Sequence, residues 1–157
     1  MKTWYNLSLE LRELRLLSLF KTRLICLVRP VKGKIFGMHG PSGVRRLTQL
    51  RVGLSPLREH RFRHNFLDTS DPICLANDGI ETTTHFMLLC HEYAIHRTAL
   101  LDRVTSICAS HGVDCNMLND SELLTLLLYG NDCFSETSNM NILFATIFYI
   151  NSTNRFN

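Results

Sequence analysis

Apolar residues recur along most of this chain at three- and four-residue steps with charged residues between them, the spacing of amphipathic helices. Leu7, Leu11, Leu14, Leu17, Leu24 and Val28 form the first such stripe, predicting a helix near 8–29 that Pro30 ends. The stretch "VKGKIFGMHGPSG" then shows no period and holds four glycines and a proline, which reads as a linker. Ser42 is placed to cap a second helix near 43–53 with Val44, Leu47, Leu50 and Leu54 on one face. Ser55 is placed to cap a third near 56–65, with Pro56 in its first turn. In that third segment Leu57, Phe62 and Phe66 are interleaved with Arg58, His60, Arg61, Arg63 and His64.

The pattern then changes. "ICLANDGIETT" carries Asn-Asp-Gly between short apolar runs, a hairpin signal over 73–82. Thr83 or Thr84 would cap a short helix through "HFMLLC", and a longer one follows in "YAIHRTALLDRVTSIC" with Tyr93, Arg97, Leu100, Leu101, Val104 and Cys108 down one side, the helical stretch spanning 84–107. Further helices are predicted at 120–129, capped by Asp120 or Ser121 and stopped by Gly130, and at 138–151, capped by Ser138. The last is apolar nearly all round and should be buried. The fold class is mainly α: a small helical domain with one short β-hairpin, a degenerate zinc-knuckle-like module. Its segments are an N-terminal amphipathic helix (1–30), a Gly-rich linker (31–43) and a body (44–157) of basic helices, hairpin and C-terminal helices.

Charge sharpens this picture. The formal net charge of +3 conceals eleven Lys or Arg against one Glu in residues 21–64, and three Arg against eleven Asp or Glu from Asn65 onward. A basic arm on an acidic body suits a polyanionic partner, RNA or DNA, with solvated helix faces as the competing reading. Arg45, Arg46, Arg51, Arg58, Arg61 and Arg63 are the candidate phosphate contacts. Glu10, Arg12, Glu13 and Arg15 interrupt the leucine-rich start, so neither a signal peptide nor a membrane span is expected there. The expected location is intracellular, nuclear or cytoplasmic, and the six cysteines are expected as thiols or metal ligands.

The catalytic signatures to weigh are an elbow serine, a phosphate-binding glycine loop, paired aspartates and a supported Cys-His pair. None is convincing, and the chain contains no Asp-Asp dipeptide. Metal chemistry is better represented. Cys74 on the first arm of the hairpin and His85 and Cys90 after it have the layout of a knuckle whose ligands converge from turn and helix. A closed structural site needs four donors, and the positions shortly after Cys74 hold Ala76 and Asn77, neither of them a good zinc ligand. His91, His96 and, more weakly, Asp78 are the available substitutes. The expectation is that the three side chains meet without completing a zinc site, zinc being the only cofactor in prospect.

With these residues laid out, the chain resembles the C-terminal tail of reverse transcriptases from animal non-LTR retrotransposons, LINE- and jockey-like. The likeness rests on "WYNLSLELRELRLLSLFKTRL", "IFGMHGPSGVRRLTQLRVGLSPLREHRFRHNFLDT" and "PICLANDGIETTTHFMLLCHEYAIHRTALL", and on the endings "LLTLLLYGND" and "ILFATIFYINSTNRF". The third stretch is similar to the family's zinc-binding-like module, whose Cys, Cys, His, Cys pattern meets Cys74, no cysteine, His85 and Cys90 here. The resemblance implies a non-catalytic tail fragment of an RNA-directed DNA polymerase whose palm would precede Met1. Its implied role is nucleic-acid binding beside that upstream polymerase. The alternative is a structural or protein-interaction helical domain.

Overall fold

The computed structural model of the chain describes residues 40–156. The amphipathic helix expected within 1–30, and residues 31–39 of the expected linker, lie outside the described residues. Five α-helices follow: α1 (Gly40–Val52), α2 (Arg58–Arg63), α3 (Ala94–Ser110), α4 (Asp120–Tyr129) and α5 (Glu136–Ser152). A π turn at His85–Leu89 and 3-10 turns at His91–Tyr93 and Cys115–Met117 fill the connections. The described residues are mainly helical, as the periodicity predicts, and none of their helices is long and apolar enough to cross a membrane.

The organising element is α5, which packs against α1, α3 and α4. Its sequence explains this position: Met140, Ile142, Leu143, Ala145, Ile147, Tyr149 and Ile150 are all buried and occupy most of its circumference. Each large aliphatic chain so buried contributes about 1.5–3 kcal/mol. Thr146 is also fully buried, its hydroxyl 3.0 Å from the carbonyls of Ile142 and Leu127, so a polar group in the core is satisfied by backbone. From α1, Val44, Leu47 and Leu50 supply the facing stripe. Leu54, assigned to that stripe by spacing, lies past the helix end and is exposed. At Gly43 a Cβ would stand 2.6 Å from Ile147 Cγ2 and 2.9 Å from the Asn151 amide, so α1 and α5 meet more closely than any side chain permits.

Several boundaries and caps depart from expectation. α1 begins at Gly40, inside the expected linker, with Ser42 in its first turn instead of at the cap. α4 is capped by Asn119, whose side chain accepts from the Glu122 N–H while the Glu122 carboxylate accepts from the Asn119 N–H. α5 is capped by Ser135, and Ser138 supplies the amide that is capped. The helical stretch expected over 84–107 divides at Cys90, whose ψ of 123° is not helical, and its short first piece is a π turn at His85–Leu89. The expected β-hairpin at 73–82 does not form. Among the described residues there is no strand, and one antiparallel bridge joins Ile73 to Ile80. The chain does fold back there, through Asn77 at φ 57°. The bridge consists of the Cys74 N–H on the Gly79 carbonyl and the Glu81 N–H on the Pro72 carbonyl; the ladder goes no further because Pro72 has no N–H to return and the Cys74 carbonyl accepts from Asn77 within the turn.

The turn is fastened to the helices by Glu81. Its carboxylate is buried and accepts from Arg155 Nε at 2.5 Å and Arg155 Nη2 at 2.6 Å, a bidentate pair spanning 74 residues. One of its oxygens also accepts from the Arg58 backbone N–H at 2.7 Å, so Glu81 replaces Ser55 as the group satisfying the start of α2. Phe86, fully buried beside it, packs on Tyr93, Tyr149 and Phe156, and its carbonyl accepts from the Tyr149 hydroxyl.

Gly43→Ala is expected to destabilise the fold by about 1–3 kcal/mol through overpacking, read as a lower urea midpoint at unchanged slope. An unchanged midpoint would show that the α1–α5 approach is not constrained. Glu81→Ala is expected to cost on the order of 3 kcal/mol, because it strands the Arg155 guanidinium. Thermal unfolding of Glu81→Ala beside the Glu81→Ala/Arg155→Met double variant checks this: recovery in the double variant identifies the uncompensated charge as the cause.

Candidate metal centre

Four side chains from the turn and the π turn meet at one point. The ligand atoms of Cys74, Asp78, His85 and Cys90 all lie within 4.8 Å of one another. Tetrahedral zinc, with ligand bonds of about 2.0–2.3 Å, sets its donors roughly 3.3–3.8 Å apart, a spacing that lies between the 2.6 Å Asp78–Cys74 separation and the 4.8 Å limit of the group. These four residues could hold a metal ion. The three residues read from sequence do converge, and the set is not short of a donor: Asp78 stands where the fourth ligand is needed. Ala76 and Asn77, the positions searched for it, are not members, nor are His91 and His96.

The backbone explains the convergence. In an α-helix two residues five apart stand roughly 140° away from each other around the axis, which would separate His85 from Cys90. The π turn closes its ring from the Cys90 N–H to the His85 carbonyl at 2.8 Å, and this wider turn stacks residue i+5 above residue i. Thr82 starts the turn by accepting the His85 N–H on its hydroxyl, a role expected of Thr83 or Thr84. At the far end Arg97, from α3, donates to the Cys90 carbonyl at 2.7 Å and fixes the break. On the opposite side Asn77 and Gly79 fold the chain so that Cys74 and Asp78 face the same point; a Cβ on Gly79 would lie 3.0 Å from the His85 ring.

Within the centre, Asp78 Oδ1 lies 2.6 Å from Cys74 Sγ and 2.9 Å from His85 Nε2. His85 Nε2 is buried yet has no partner in hydrogen-bonding geometry, despite that short separation. A buried imidazole nitrogen facing these side chains without a hydrogen bond suits a metal ion, which would accept its lone pair. The other carboxylate oxygen, Oδ2, accepts from the His91 backbone N–H at 2.7 Å and lies 2.6 Å from His91 Nδ1. The Cys74 thiol foremost, and then the His91 N–H, hold the Asp78 carboxyl well below the usual carboxylate range. Burial pushes the Cys90 thiol up to about 11, so a metal arriving there must displace a proton.

The candidate phosphate contacts lie on α1 and α2, and most are engaged within the chain. Arg46 donates to Gln49 and to the Phe156 carbonyl, and Arg51 donates to the Leu128 carbonyl. Arg58 pairs with Asp71 at 2.8 Å, and Arg61 pairs with Asp68 while lying over the Phe66 ring. Hydrogen bonds from these two arginines hold both carboxyls below their ordinary range. Arg63 reaches Glu59 at 3.4 Å with most of its side chain in solvent, and Arg45 is exposed. Beside Arg63, Phe62, Phe66 and Leu67 are also exposed.

Sequence reasoning ranked Asp78 below His91 and His96 as fourth donor, and missed His91 as its partner and Arg97 as anchor. The Cys-x3-Asp spacing across the turn was the available signal for the first; the other two depend on the π turn, which no periodicity announces. Compared with protein-family models, with curated proteins and with solved structures, the chain gives no match.

Proposed function

We propose that the chain is a non-catalytic accessory module whose turn is cross-linked by a structural zinc ion, and that it serves a nucleic-acid-handling protein. The observation that carries this reading is the set of four donors, Cys74, Asp78, His85 and Cys90, gathered on one point. Four protein ligands leave no open position for a substrate or an activated water, which favours a structural over a catalytic metal. Two thiolates and an imidazole suit zinc better than magnesium or calcium. When bound, zinc would supply a cross-link between turn and π turn. The resemblance in "IFGMHGPSGVRRLTQLRVGLSPLREHRFRHNFLDT" and the knuckle after it supports an origin in the tail of a non-LTR retrotransposon reverse transcriptase.

The partner in this reading is RNA or single-stranded DNA. Its support is the exposure of Phe62 and Phe66 in the same short segment as Arg63, aromatic and basic side chains on which unpaired bases stack and phosphates pair. The ion pairs of Arg58 and Arg61 reduce their availability and favour the competing reading, a structural or protein-interaction domain.

The purified chain is expected to take up one equivalent of zinc, and zinc at about 100 times its dissociation constant should stabilise the fold by about 2.7 kcal/mol. Asp78→Ala and Cys74→Ser should weaken uptake, and Asp78→Cys should retain it with a third thiolate. Zinc uptake unaffected by Asp78→Ala would remove Asp78 from the ligand set. For the nucleic acid, affinity for single-stranded RNA should fall steeply with salt. Arg63→Ala should lower the salt slope by about one unit or less, and Phe66→Ala should weaken binding at every salt concentration. Salt-independent binding, or none, would favour the structural reading.

A further inference from the structure

Asp78 offers the centre one oxygen and gives the other away, and the reason is His91. Oδ1 faces Cys74 Sγ and His85 Nε2 across the site, while Oδ2 is occupied on the outside by two groups of one residue, the His91 N–H at 2.7 Å and Nδ1 at 2.6 Å. The break at Cys90 makes this possible, since its non-helical ψ turns the His91 N–H toward the carboxylate. Resting on the metal-centre reading above, we infer that His91 is a positioning residue that holds Asp78 as a one-oxygen ligand and thereby restricts the centre to a four-coordinate metal ion.

The chemistry follows from the carboxylate. An aspartate free at both oxygens can chelate a metal with the pair and raise its coordination number, as it does for larger hard cations. Once Oδ2 carries two hydrogen bonds, chelation requires breaking both, so the single-oxygen mode and the tetrahedral geometry of zinc or cobalt(II) are selected. The Nδ1–H donor also fixes the imidazole tautomer and leaves Nε2 facing away from Asp78. His91 thus completes the centre without ligating it. Its ring is 66% exposed, so its removal leaves no cavity.

Cobalt(II) titration of the whole chain tests this, because ligand-field bands are intense for four-coordinate cobalt and weaken at higher coordination, while the thiolate-to-cobalt band counts sulfur ligands. His91→Ala is expected to lower cobalt and zinc affinity by about 10–100-fold and to weaken the ligand-field bands at unchanged thiolate intensity. His91→Asn, whose amide can donate to Oδ2, should recover part of both. The melting temperature of the metal-free His91→Ala protein should match that of the unsubstituted metal-free chain. Unchanged affinity and bands in His91→Ala overturn the inference, as does a loss that His91→Asn leaves unrepaired. A loss of binding as deep as that of Cys74→Ser would make His91 a ligand. No cobalt uptake by the unsubstituted chain would overturn the metal centre itself, a failure visible before any His91 variant is compared.

Discussion

A carboxylate deep in a protein stays charged only where cations and N–H groups replace the water it has lost, and Glu81 obtains them from two distant segments at once. Arg155 supplies a two-pronged pair from beyond α5, and the Arg58 backbone supplies the first amide of α2. The desolvation penalty of such an ion is several kcal/mol, so neither partner can drift without leaving a bare charge behind. That requirement sets the position of the turn. Asp78 lies three residues before Glu81 and His85 four residues after it, and both inherit their place on the helical body from this anchor.

The centre and the body divide the work between them. The body, built on α5, buries enough aliphatic and aromatic surface to fold as helical domains do, without depending on an ion. The centre joins segments too short and too irregular to hold each other: one bridge at Ile73–Ile80, one π turn and one 3-10 turn. Phe86 ties the two together, its ring in the body and its carbonyl on the Tyr149 hydroxyl, one residue away from the candidate donor His85.

How much of this the sequence revealed follows from the kind of force at each place. α4 runs from Asp120 to Tyr129 as the leucine period and Gly130 indicate, and α5 is buried on nearly every face as its composition requires, because burial acts on local pattern. The cap of α2 was not legible, since the acceptor for Arg58 lies on Glu81, remote in sequence and marked by nothing at Ser55. The hairpin was overread: Asn-Asp-Gly does turn the chain, but the strands a turn implies need a ladder, and Pro72 has no N–H to continue it. At the centre Cys74, His85 and Cys90 were recognisable by residue type. Asp78 stood behind His91 and His96 as fourth donor, and its place in the group became plain only with the π turn that brings Cys90 round to meet it.

The spans of the two fastenings also order the assembly of the molecule. All four donors lie between Cys74 and Cys90, whereas Glu81 waits for Arg155 across 74 residues. Closing the wider loop costs about 1 kcal/mol more in chain entropy, and the difference in contact order is larger still. A nascent or refolding chain can therefore gather the donors while α5 is still unformed. By span alone, the donor-bearing turn closes locally and the ion pair is the long-range contact that docks it.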